Sequence, residues 1–268
     1  MKPLELFGLS LSVLLLLTSC GSRGGFKQPQ VVKREAPNYN FRDPAKIKRD
    51  RQLREQLMMA GQNLAAGALT EAERNVRNAL RIDPQSIDGI TMMAIIEGRR
   101  GNVAEAGRHY RRAAELAPKR GEALNNYGAW LCTNGYQAES LVWFDRALAD
   151  PDYPTPAAAL ANAGGCALDS GQYERAEGDL RRSLEMAPTN AFALMSMARN
   201  EYRLGRYFQA RAFIERRLAA ASADPSVLQL AMQIEEKLGD KAAANRYLQQ
   251  LRREFPESAA VDTENNPS

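Results

Sequence analysis

Few side chains in this sequence could carry out chemistry. Its 268 residues include one histidine, His109, and three cysteines, Cys20, Cys132 and Cys166. Nucleophilic triads need an imidazole base and zinc sites draw on groups of histidines and cysteines, so either would have one histidine at most. His109 lies among arginines in the run HYRRAAEL, at helical spacing, and reads as a solvated surface residue. No glycine-rich loop ends in Lys-Ser/Thr, and no paired-cysteine metal motif occurs. Carboxylates are scattered along helical faces rather than paired. Trp130 and Trp143 fall at helical positions beside Cys132 and read as packing. The sequence therefore predicts a non-enzymatic protein with no metal and no cofactor.

The elements that hold these residues repeat. In Gly121 to Ala147, apolar residues at three- and four-residue steps form one helical face up to Leu131; a glycine breaks the chain, and a second helical pattern follows. With Leu53 as position one, glycine recurs at position fifteen: Gly67, Gly101, Gly135, Gly171, Gly205 and Gly239. The steps are 34, 34, 36, 34 and 34 residues, the longer one falling at the proline-rich joint Pro151, Pro154 and Pro156. Small residues recur at position eight (Ala60, Ala94, Gly128, Gly164, Ala198) and at position twenty (Ala72, Ala106, Ser140, Ala176, Ala210, Ala244). Proline ends second helices at Pro84, Pro118, Pro188 and Pro256. This pattern resembles the tetratricopeptide repeat (TPR), which implies an all-α, right-handed superhelical solenoid of six helix-turn-helix units. Arg217 and Met232 stand where small residues are expected, the drift of terminal repeats that have a neighbour on one side only. The sixth repeat reads as the C-terminal cap.

The expected boundaries are a signal peptide over 1–19, a cysteine and basic spacer over 20–50, six repeats over 51–258, and a disordered tail over 259–268. The repeats fall at 53–86, 87–120, 121–156, 157–190, 191–224 and 225–258. Cys132 is at position twelve of one first helix and Cys166 at position ten of the next, 34 residues later. These positions differ by about 200° around a helix, so one side chain faces forward along the stack and the other faces back. The pair reads as a disulfide between stacked repeats; two small apolar core residues are the other reading.

At the N-terminus, Lys2 precedes an apolar run from Leu6 to Leu17, shorter than the roughly 20 residues of a spanning helix. The run ends in Leu17-Thr18-Ser19-Cys20, which resembles the bacterial lipobox and implies acylation of Cys20. Several acyl chains anchor stably where one does not. Gly21 stands where aspartate commonly marks inner-membrane lipoproteins, which points to the outer membrane, facing the periplasm. Residues 21–50 carry a net charge of +5, leaving residues 51–268 at −1 of the chain's +4. The repeats thus lack the basic face a nucleic-acid partner would need.

First helices of stacked TPR units line a concave wall that takes peptides. The inward positions nominate Leu57, Met58, Met92, Ile95, Asn125, Asn126, Ala129, Asn162 and Arg199 as a protein-binding groove. Its N-terminal half is apolar and rich in adaptable methionine. Asn126 and Asn162 share position six, where TPR proteins often place an asparagine that bonds a ligand backbone; a pair of exposed asparagines is the alternative.

Lipobox, basic spacer, six repeats and the cysteine pair together resemble the PilF/PilW pilotin family of type IV pilus biogenesis proteins. The resemblance implies a monomeric, lipid-anchored outer-membrane scaffold that binds the pilus secretin and promotes its localisation and multimerisation. A TPR lipoprotein of the β-barrel assembly machinery is the alternative.

Overall fold

The computed structural model describes residues 44–258. The signal segment, Cys20, the spacer up to residue 43 and the tail over 259–268 lie outside the described residues. Among the described residues, twelve α-helices follow one another in antiparallel pairs. They are α1 Ala45–Ala65, α2 Leu69–Ile82, α3 Ile87–Arg99, α4 Val103–Leu116, α5 Gly121–Thr133 and α6 Gln137–Leu148. The second half comprises α7 Pro156–Asp169, α8 Tyr173–Met186, α9 Ala191–Arg203, α10 Tyr207–Ala220, α11 Pro225–Leu238 and α12 Lys241–Glu254. The chain is a TPR solenoid. Helix α1 takes in the last six residues of the expected spacer, Ala45 to Asp50. Lys46, Lys48 and Arg49 are good helix formers despite lacking an apolar stripe, and Pro44 supplies the non-helical residue before the first turn.

Each hairpin turns on its position-fifteen glycine. All six have positive φ, between +73° and +90°, a region that costs a residue bearing Cβ about 1 kcal/mol or more. Ser86, Asn190, Asp224 and Asp240 accept the backbone N–H three residues on and so cap α3, α9, α11 and α12. Within a pair, a large side chain of the second helix seats on a small residue of the first: Phe144 on Gly128 and Leu180 on Gly164. Ala60 with Val76, and Ala198 with Ile214, share core clusters in the same positions. Each of these large side chains, fully removed from water, stabilises the fold by about 1.5–3 kcal/mol.

The joints between repeats are of two kinds. At the first, Arg100 of α3 meets Glu73 of α2 at 2.7 Å and also faces Glu97. At the fourth, Arg206 donates to Glu177 of α8 at 2.6 Å and to the buried Glu201 of α9 at 3.2 Å. At the fifth, Arg211 of α10 donates to both carboxylate oxygens of the buried Glu235 of α11 through Nε and Nη2. The second and third joints add apolar packing to ion pairs. Trp130 lies flat against Gly107 of α4 while Arg120 pairs with Asp88 of α3 at 2.8 Å. Leu141 of α6 joins a core cluster with Cys166 and Ala167 of α7 while Arg175 of α8 pairs with Asp145 of α6 at 2.6 Å.

Arg217 is not terminal drift. Its buried guanidinium donates to the carbonyls of Ala221 and Ser222, both at 3.1 Å, and to Asp224 at 3.0 Å, tying the end of α10 to the start of α11. A buried charge is tolerated there because each bond satisfies a group that the helix ends leave open. Helix α12 presents Lys241, Asn245, Arg246, Gln249, Arg252 and Arg253 outward, the polar face of a cap.

Consecutive odd-numbered helices pack against one another at every joint, from α1 on α3 to α9 on α11. Among the described residues no consecutive even-numbered pair packs comparably. The odd helices therefore line the inner wall of the curve, and the even helices splay on the outer face.

Two outcomes test this account. A Cβ at Gly107 would sit 2.3 Å from the Trp130 ring, whereas one at Gly67 meets nothing within 4 Å. Gly107→Ala should therefore lower stability by about 1–3 kcal/mol through overpacking. Gly67→Ala should cost only the left-handed backbone penalty of about 1 kcal/mol, both read by urea unfolding. The second outcome concerns acid. Arg100 and Arg77 hold the Glu73 carboxyl below its ordinary pKa, and Arg181 and Arg206 do the same for Glu177. Their stabilisation is present above the unfolded value and lost as pH falls below about 4.3 through the lower folded values. The thermal midpoint should drop over that range, and less steeply in Glu73→Gln and Glu177→Gln.

Candidate functional site

The inner wall begins in α1. Met58 is 58% exposed and Leu57 half-buried beside it. Met92 and Ile95 of α3 are half-buried and pack on the first core cluster, so each offers only part of its side chain to the groove. Together the four make an apolar start to the wall, as the inward positions of the repeat require.

The middle of the wall differs from the expectation. Asn125 is buried, and its amide oxygen accepts from the Asn162 amide of α7 at 3.1 Å. It is an internal bond between repeats three and four rather than an exposed donor. An unpaired amide there would carry a desolvation cost of about 1–3 kcal/mol, and this bond offsets it. Asn162, expected to serve a ligand, thereby commits one of its N–H groups to the protein. Asn126 stays half-exposed and, with Ala129, lines a cavity of about 380 Å³ that also takes in Tyr110, Trp130 and Asn134. Asn126 and Asn162 share a repeat position but not a role, because α5 and α7 approach closely enough for Asn162 to reach Asn125.

Cys132 and Cys166 come together beside this stretch with Cα atoms 5.8 Å apart, inside the 4.4–6.8 Å window a bridge requires. Cys166 is buried in the core cluster formed with α6, and Cys132 packs against that cluster from α5. Trp130 stacks on Tyr127 at 6.1 Å between ring centroids and on Tyr136 at 6.2 Å. Trp143 meets Tyr127 edge-on at 4.8 Å. Both indoles pack against the core cluster of repeat three.

The C-terminal end of the wall is polar. Arg199 of α9 pairs with Asp169 of α7 at 3.0 Å and lines a cavity of about 340 Å³ with Met195, Tyr202, Arg203, Gln229 and Gln233. Tyr202, Arg203, Gln229 and Gln233 were not among the residues nominated from sequence. Gln229 and Gln233 occupy positions five and nine of the sixth repeat, so carrying the same positional rule one repeat further finds them. Among the described residues, no group of three or more His, Cys, Asp or Glu side chains could hold a metal. No described helix is long and apolar enough to cross a membrane. His109 is half-buried in a cavity on the outer face rather than solvated, and burial lowers its pKa.

Family models of the tetratricopeptide repeat match residues 167–234 and 226–258. The chain is 25% identical over 195 residues to the type IV pilus assembly protein PilF of Pseudomonas aeruginosa, covering 73% of this chain and 77% of that one. The crystal structure of PilW, described as a widely conserved type IV pilus biogenesis factor, superposes with a TM-score of 0.73 at 30% identity. That match covers 78% of this chain and 97% of PilW. The solved Pseudomonas aeruginosa PilF superposes with a TM-score of 0.72 at 23% identity, over 82% of this chain and all of that one.

Proposed function

The chain belongs to the PilF/PilW family of type IV pilus biogenesis TPR proteins, and from that premise we propose that it is a non-enzymatic, lipid-anchored pilotin. In this reading Cys20 is acylated and holds the repeats at the outer membrane, facing the periplasm. The inner wall binds subunits of the pilus secretin and promotes their multimerisation. A TPR solenoid related to pilus assembly proteins acts by binding protein, and the observation that carries the reading is the wall itself. Its apolar start at Leu57 and Met58, half-exposed Asn126 and basic end at Arg199 and Arg203 can hold a segment of another chain along its length. Met58 supplies the most open apolar surface on that wall. The bridge between Cys132 and Cys166 belongs to the same reading: in an oxidising compartment it ties repeat three to repeat four where the wall passes from apolar to polar.

A strain lacking the gene should contain secretin monomers, no heat-stable multimers and no surface pili, while remaining viable. Complementation with the natural chain should restore the multimers, and neither Cys20→Ser nor Met58→Lys should do so at equal protein levels. Unchanged multimers in the deletion strain would remove the pilotin reading. Co-purification with a large barrel protein, together with general envelope defects, would favour the β-barrel assembly alternative. For the bridge, reduction should lower the unfolding free energy of the purified protein by about 3–4 kcal/mol, from loss of closure of a loop spanning 34 residues. The Cys132→Ser, Cys166→Ser double variant should show no response to reductant.

A further inference from the structure

Because the even-numbered helices splay, a wedge opens between successive second helices on the outer face. Between α6 and α8, position twenty-three of the repeat is Asp179, which faces Arg175 and Arg182. At three of the five joints an aromatic residue at that position fills the wedge. Trp143 does so between α4 and α6, packing with Ala114 and meeting Tyr127 edge-on. Phe213 does so between α8 and α10, in the cluster that holds Leu184 and Met197. Tyr247 does so between α10 and α12, with Leu218 and Ala231. In each case an aromatic ring covers the residues at positions twenty-eight and seven.

Between α2 and α4 the same position is His109, whose ring is smaller and polar. The two residues it would cover, Leu80 and Met93, instead lie at the bottom of an open cavity of about 690 Å³. Arg74, Arg77 and Arg81 of α2 stand along its rim. Two carboxylates also line it, but both have partners: Glu97 faces Arg100 and accepts from Asn102, and Glu105 pairs with Arg108. Of the arginines, Arg74 faces Glu71 at 3.8 Å and Arg77 pairs with Glu73, both with exposed side chains, while Arg81 donates to Asn78 and has no carboxylate partner among the described residues. Burial disfavours the charged form of His109, so at neutral pH the imidazole is an uncharged wall of the cleft.

We propose that this cleft is a second docking site, on the face opposite the groove, for a protein partner. The partner seats an aromatic side chain between α2 and α4 and sets neighbouring carboxylates against Arg74, Arg77 and Arg81. The ring is the group that the fold itself uses at three other joints, and the apolar floor gives it the same surroundings. The rim selects acidic flanks, because guanidinium groups bind carboxylates through charge-assisted bonds. This site stands independently of the reading of the inner wall.

The test titrates the full chain in detergent with the peptide Gly-Glu-Glu-Trp-Glu-Glu-Gly and with its counterpart carrying lysine for glutamate, followed by calorimetry. The acidic peptide should bind and the basic one should not. His109→Trp places a ring in the wedge from within, so it should weaken acidic-peptide binding by about tenfold or more while leaving the thermal midpoint unchanged or higher. Arg81→Glu should weaken it as well, with the fold intact by circular dichroism. Equal binding of both peptides, or undiminished binding to His109→Trp, overturns the proposal. Vesicles of phosphatidylglycerol provide the other arm: vesicle binding lost in His109→Trp, without peptide binding, would assign the cleft to lipid and overturn the protein partner. Peptide binding that emerges only when residues 21–43 are deleted would assign it to the chain's own segment.

Discussion

Four of the six hairpins of this protein, the first, third, fourth and fifth, are closed by one fit, a bulky side chain of the second helix resting on a residue with little or no side chain in the first. Phe144 over Gly128 and Leu180 over Gly164 show how tight it is, since a Cβ added at Gly164 would lie 2.5 Å from the Leu180 Cγ. The close approach that results fixes the geometry of the pair, and the left-handed glycine at the turn lets the chain reverse without bending either helix. With the pairs built largely to one plan, the main remaining parameter is how each is set against the next. Interior packing tolerates little change in volume, so that parameter is decided by the few side chains at the joint.

Those joints use different physics in different places. Apolar contacts and the cysteine pair join repeats two, three and four, where Gly107 accepts an indole and Leu141 meets Cys166. Toward both ends the joints are arginine–glutamate relays. Burying Glu201 and Glu235 has a desolvation cost that only a well-placed guanidinium offsets, so these relays set register more than they add stability. The centre of the solenoid therefore adds apolar packing and the cysteine pair to its exposed ion pairs, whereas the outer repeats lean on arginine–glutamate contacts that respond to pH and salt.

Much of this was legible in the sequence, and what was not has a common cause. The six glycines set the turns because no other residue type suits that backbone, so period and fold followed from spacing alone. The relays were not legible, because arginine and glutamate at helical spacing look the same whether they face water or a neighbouring repeat. Asn125 and Asn126 illustrate the limit at the candidate site. They are adjacent residues of one type, and a rotation of 100° puts one in the wall and the other inside an internal bond. Arg217 broke the small-residue rule for a local reason, the open carbonyls at the end of α10, which no periodic pattern encodes. The start of α1 at Ala45 was hidden because a helix can be built from lysine and arginine without an apolar stripe.

Curvature makes opposite demands on the two faces. On the inner face the first helices crowd, so side chains there are short or shared: Asn162 reaches Asn125 directly, and Cys132 reaches Cys166. On the outer face the second helices diverge, and rings are needed to keep the wedge closed. Trp143, Phe213 and Tyr247 have the size for that task, and His109 does not. A side chain too small for its wedge leaves one side of Leu80 and Met93, which otherwise pack in the first core cluster, facing the cavity, a loss of dispersion contacts that a better-filled joint would avoid. The other joints show that this sequence has aromatic residues to place at position twenty-three. The open joint thus departs from the pattern of three of the other four joints, the remaining one placing Asp179 at this position, and it lies where three arginines line the opening.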